Sequence, residues 1–77
     1  DIRHRLGITL REAGLASQSI QEFERILDVR PERSESRVQL GLTYHSLGRT
    51  REAEGHWREV LAREPGQREA SMYLRLL

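Results

Sequence analysis

The sequence predicts an all-α chain of about five short helices, arranged as antiparallel helix–turn–helix units that repeat. Three observations predict it. The chain resembles itself when shifted by 34 residues. Its apolar residues recur at spacings of three and four, and no stretch alternates as a strand would. Glycine and proline fall where helices of that length should stop.

The repeat is read residue by residue. Arg3 aligns with Arg37, Leu6 with Leu40, Gly7 with Gly41, Thr9 with Thr43 and Gly14 with Gly48. Leu27 aligns with Leu61 and Pro31 with Pro65; further on, Glu35 aligns with Glu69, Leu40 with Leu74 and Leu42 with Leu76. Phe23 meets Trp57, Ile8 meets Leu42 and Ile26 meets Val60, which conserves character if not identity. The chain therefore divides into repeat 1 over 1–33, repeat 2 over 34–67 and a terminal or partial helix over 68–77, all in a single domain spanning 1–77.

The elements follow in order. Leu6, Leu10 and Ala13 share one face of a helix over 2–13, which Gly14 ends. Ile20, Phe23, Ile26 and Leu27 share a face of a helix over 17–29, with Ser17 as its expected cap and Pro31 beyond its end. Leu40, Tyr44 and Leu47 do the same for 35–47, capped by Ser34 and ended by Gly48. Ala53, Trp57, Val60 and Leu61 define 51–63, with Thr50 as cap and Pro65 as stop. The last helix, over 68–77, turns Ala70, Leu74 and Leu77 toward the preceding repeat. Connections this short make neighbouring helices antiparallel. Leu6, Phe23, Leu40, Trp57 and Leu61 are expected to fill the space between helices. Gly7 and Gly41 stand in helix interiors, where glycine costs about 1 kcal/mol relative to alanine. That penalty suggests a close approach, with Ser19 or Ala53, twelve residues on, as the expected neighbour.

Composition bounds the function. The 77 residues are 36% hydrophobic and 32% charged, too charged for a membrane span and too apolar for a disordered chain. No signal peptide or transmembrane stretch is visible in this chain, and the compartment is left open. The first residue is Asp1 rather than Met, as expected of a piece of a longer protein. There is no cysteine, which removes disulfides and thiolate metal sites. Net charge is +1; every basic residue is arginine, which reads as coding bias, and the arginines are interleaved with acids. That pattern describes solvated helix faces with Arg–Glu pairs, and it predicts no nucleic-acid partner, because little counterion would be released.

With period, punctuation and signature positions together, the chain resembles the tetratricopeptide repeat family. Its pattern runs W-x2-L-G-x2-Y, A-x3-F and P over 34 residues. Repeat 1 supplies Leu6-Gly7, Leu10 for Tyr, Ser19 for Ala, Phe23 and Pro31; repeat 2 supplies Leu40-Gly41, Tyr44, Ala53, Trp57 for Phe, and Pro65. The opening Trp is replaced by Arg3 and Arg37. In the partial third copy Arg75 stands where the mid-helix glycine should be, expected of a solvated terminal helix. The resemblance implies a short right-handed α-solenoid whose concave face is lined by the first helix of each pair. It implies a non-catalytic scaffold that binds a protein or peptide there. The positions carried over are Arg5, Ile8, Arg11, Val38, Gln39, Leu42, His45, Met72, Tyr73 and Leu76. Some family members grip acidic chaperone C-termini through Lys, Arg and Asn. Here those places hold His4, Ile8, Gln39, Glu69 and Tyr73, so that partner class is not expected.

Ile8, Leu42 and Leu76, one repeat apart, predict an apolar ladder widened by Val38, Met72 and Tyr73, suited to an amphipathic helix or an extended apolar peptide. Arg5 and Arg11 would pair with acidic groups at its edge. The apolar circumference of the last helix also predicts self-association into a homo-oligomer as the alternative. No enzyme activity, cofactor or metal is expected. The three histidines His4, His45 and His56 lack ligand spacing, no glycine-rich phosphate loop occurs, and Glu22 and Glu24 point to different sides of one helix.

Overall fold

The computed structural model describes residues 1–77 as five α-helices without a strand. They are α1 (Ile2–Glu12), α2 (Ala16–Val29), α3 (Ser34–Ser46), α4 (Thr50–Arg63) and α5 (Arg68–Leu76), joined by connections of three or four residues. Every predicted helix is present, with ends within one residue of expectation. Each packs mainly on the next in sequence, and α1 also touches α3. Cross-contacts give the directions. Ser19 bonds Gly7 while Phe23, further along α2, meets His4, so α1 and α2 are antiparallel. His4 pairs with Ser36 and Arg11 with Gln39, so α1 and α3 lie side by side and parallel. The radius of gyration, 11.4 Å, is that of a compact chain of this length.

The glycine stops are left-handed turns. Gly14 and Gly48 have φ of +83° and +76°. Gly14 N–H donates to the Arg11 carbonyl at 3.0 Å and Leu15 N–H to the Leu10 carbonyl at 2.8 Å. Gly48 and Arg49 repeat this onto His45 and Tyr44, so both first helices end in a Schellman motif. The motif overturns the expected caps. Leu15 and Arg49 already lie at the helix entry, with their carbonyls accepting from Ser19 and Ala53, so they are the N-cap residues of α2 and α4. Ser17 and Thr50 are thereby drawn inside their helices. Ser34 likewise opens α3 after Arg33, and its hydroxyl donates to the Glu64 carboxylate at 2.7 Å. Side-chain caps occur instead at Asp1, which accepts from Arg3 N–H, and Gln67, which accepts from Ala70 N–H. Arg30 and Glu64, before Pro31 and Pro65, end α2 and α4 outside the helical region, at φ/ψ of −134°/79° and −133°/86°, since proline disfavours helical backbone in the residue before it.

The core is one cluster of Phe23, Ile26, Val38, Leu40, Tyr44, Ala53, Trp57, Val60 and Ala70. Phe23, Leu40 and Trp57 fill it as expected, and Leu61 packs half-buried against it. Leu6 does not. It is 44% exposed while its repeat counterpart Leu40 is 2% exposed, because α2 covers α3 and no helix covers that side of α1. The helix-interior glycines also serve a different neighbour from the one expected. A Cβ on Gly7 would lie 2.6 Å from the Phe23 ring, and one on Gly41 would lie 2.5 Å from the Trp57 indole. The glycines therefore seat the aromatic sixteen residues on, with Ser19 beside it donating to the Gly7 carbonyl at 2.7 Å. A buried polar thread continues from Ser19 to the Thr43 hydroxyl (3.2 Å), which reaches the Gln39 carbonyl at 2.9 Å. In α5, Ala70 is buried and Leu74 packs half-buried on the core, but Leu77 lies past the last turn and is half exposed. Arg75 is exposed, as expected.

Candidate partner-binding surface

The candidate residues ride on α1, α3 and α5, and two groups of contacts tie those helices together. Between α1 and α3, Arg11 Nη1 donates to Gln39 Oε1 at 2.6 Å, and His4 Nδ1 lies 3.0 Å from the Ser36 hydroxyl. Between α3 and α5 the link runs through α4. The Trp57 ring stacks on Tyr73 with centroids 5.2 Å apart and lies 6.2 Å from His45. Its Nε1 is occupied, donating to the Val38 carbonyl at 3.1 Å.

Exposure separates the candidates. Arg5 and His45 are exposed, and Arg5 borders a surface depression with His4, Ile8, Thr9 and Glu12. Gln39 is half-buried and already holds Arg11, so the Arg11 guanidinium is partly committed within the protein. Ile8, Leu42 and Tyr73 are half-buried because each packs against the core as well as facing outward. Met72 and Leu76 are 42% and 76% exposed. Val38 is a correction. It is completely buried, since α4 lies over it and Trp57 bonds its carbonyl, so it is core and offers nothing to a partner. The ladder is therefore uneven: Ile8 and Leu42 are partly withdrawn into the core and only Leu76 stands free, at the end of α5, which packs mainly on α4.

The electrostatics are local. Burial, opposed by Glu35, holds the His4 pKa below the ordinary histidine value, and the free N-terminus, Arg33 and Arg11 push the same way. His56, away from these candidates, is also lowered by burial and then by Arg37; its ring stacks on Tyr44 with centroids 5.4 Å apart. Burial raises the Tyr44 phenol, over whose ring the Arg49 guanidinium sits at 5.0 Å. This Arg49–Tyr44–His56 stack was not visible in the sequence. Its members join across the Gly48 turn and two helices, and no repeated spacing marks them. No three metal-capable side chains gather at any point, and no helix is long and apolar enough to cross a membrane. No protein-family model matches the chain, and no curated protein matches its sequence.

Proposed function

We propose that this chain is a non-catalytic interaction module of the tetratricopeptide type, a short right-handed solenoid that holds a peptide or helix across α1, α3 and α5. The observation that carries the reading is the repeat register of surface residues on those three helices. Ile8, Leu42 and Leu76 occupy one register, and Arg5, Gln39 and Tyr73 the one three residues before it. All six keep some surface, while Gly7 and Gly41, which seat the Phe23 and Trp57 rings of α2 and α4, are buried. Arg5 and His45 supply polar edges, and Ile8, Leu42, Met72 and Leu76 supply apolar contact. Val38 drops out of the surface. The near-neutral, interleaved charge favours a polypeptide over a nucleic acid.

The test is a peptide-array screen followed by titration of hits against Arg5→Glu and His45→Glu. Both positions are exposed, so melting should stay unchanged while affinity falls about tenfold. Hits that bind both variants like the parent would sink the groove.

One observation favours self-association as a second reading: Met72, Leu76 and Leu77 leave apolar surface at one end of the molecule. Sedimentation equilibrium decides between them. A monomer of 9.0 kDa supports the free groove, and a dimer lost in Leu76→Glu supports assembly.

A further inference from the structure

We infer that the groove reads an acidic side chain of its partner peptide at one place, through Arg11, and that Gln39 is the residue that positions Arg11 for it. This deepens the proposed groove and rests on it. The observation is a pair of donors without an anion. Arg11 is half-buried on the side of α1 that meets α3, yet no carboxylate of the chain pairs with it. Glu12 follows it in sequence and Glu35 lies one turn before Gln39; both are exposed and neither forms an ion pair. A charge withdrawn from water is costly unless it is paired, and here the acceptors of the guanidinium are neutral. Arg33 and Arg37 are the other half-buried arginines. Arg33 is paired with Asp1, and Arg37 is turned onto the Pro31 carbonyl among side chains of α2 and α4, off the groove.

The donors are held from inside. Arg11 Nη1 donates to Gln39 Oε1 at 2.6 Å and to the Gln39 backbone carbonyl at 3.4 Å. That carbonyl also accepts from the Thr43 hydroxyl at 2.9 Å, and Thr43, fully buried, bonds Ser19 of α2 at 3.2 Å. The guanidinium is thus fixed at one nitrogen by a thread that ends in the core. Its Nε and Nη2 bond nothing in the chain, and together they form the edge that takes a carboxylate through two parallel hydrogen bonds. Arginine has no acceptor, so Gln39 must turn its oxygen toward it. Gln39 Nε2 is then left beside the guanidinium with two hydrogens and no partner in the chain. Every free polar atom of the pair is a donor, which suits a group that only accepts, the ionised carboxylate. Ile8, one turn before Arg11, and Leu42, one turn after Gln39, are half-buried apolar residues on the same helices. Partial exclusion of water there strengthens a charge-assisted bond. One repeat on, the same positions hold His45 and Tyr73, and both approach the Trp57 ring instead. The acid is therefore read once, between α1 and α3, and not at each repeat.

The probe is a synthetic library of short acetylated, amidated random peptides, selected on the immobilised 77-residue chain, with single hits then titrated in solution. The expected hits carry Asp or Glu at one position, and replacing it with Asn or Gln weakens binding about tenfold. In Arg11→Gln that ratio should fall to about one. Gln39→Glu is the sharper variant, because it supplies a carboxylate to Arg11 from within the chain. It should abolish the acid preference while melting stays unchanged or rises, which a loss of packing at Gln39 would not do. Hits bound without an acid preference overturn the inference and leave the groove standing, and so does a preference that survives either variant. Tighter binding with phosphoserine at that position than with Asp or Glu also overturns it, as does an acid requirement met only by a free peptide C-terminus. If no peptide binds saturably, the groove itself fails and the inference with it.

Discussion

Gly41 and Trp57 are fitted to one another: the Cβ that Gly41 lacks would lie 2.5 Å from Trp57 Nε1, the atom that donates to the Val38 carbonyl at 3.1 Å. One missing methyl thus admits both the indole and its hydrogen bond. Gly41→Ala gains about 1 kcal/mol of helix propensity, but it overpacks the pair by about 1–3 kcal/mol and strips a buried donor worth about 1–3 kcal/mol. The expected net loss is about 2–3 kcal/mol in urea denaturation. Gly7→Ala meets only the Phe23 ring, with no hydrogen bond at stake, and should lose less.

Gly55 is the control on that reasoning. It lies inside α4 with nothing within 4 Å of its absent Cβ. Gly55→Ala should therefore stabilise the chain by about 0.5–1 kcal/mol, raising Tm by a few degrees. A fall in Tm would show that α4 is crowded where it is drawn open.

Gly48 tests backbone conformation free of packing. A Cβ there also meets nothing, yet φ is +76°. Gly48→Ala should cost about 1 kcal/mol from the left-handed turn alone. Gly48→Asn should recover part of it, since asparagine tolerates that region. Equal melting of all three forms would contradict the Schellman turn.

The half-buried histidines His4 and His56 set a pH dependence. Burial holds both His56 and His4 below the ordinary histidine pKa, so the unfolded chain binds protons more readily. Their contribution to stability is complete above about pH 6.5 and is lost as pH falls from there through the folded values. Denaturation midpoints should drop between pH 7.5 and pH 5.5, and His56→Gln should shrink the drop. An undiminished drop in that variant would assign the effect elsewhere.

Val38→Glu and Leu42→Glu differ in what they report. Val38→Glu places a charge in a fully buried site and should unfold the chain. Leu42 is half-buried against the core, so Leu42→Glu should lower Tm measurably as well as weaken partner binding. Thermal melts followed by circular dichroism check both.

Element positions were legible because they depend on local rules. Gly14 and Gly48 mark left-handed turns that few other residues tolerate, and Pro31 and Pro65 forbid continuation of α2 and α4. The caps were misread for a geometric reason: Leu15 and Arg49 close one helix and open the next, leaving no separate place for Ser17 or Thr50. Among the candidate surface residues, Arg5, His45, Met72 and Leu76 are exposed, while Val38 is buried. A valine at helical spacing reads alike on a groove and in a core.

By itself the sequence determined the period, the five helices and their stops, and the pairing of Gly7 and Gly41 with crowded helix contacts. These follow from backbone sterics and from spacings within one helix. The tertiary structure alone decided which side of each helix is covered. Leu6 and Leu40 are the same residue in the same register, and only the presence of α2 against α3 makes one core and leaves the other at the surface. Burial is a property of the neighbour as much as of the residue, and a neighbour distant in sequence leaves no mark on local spacing.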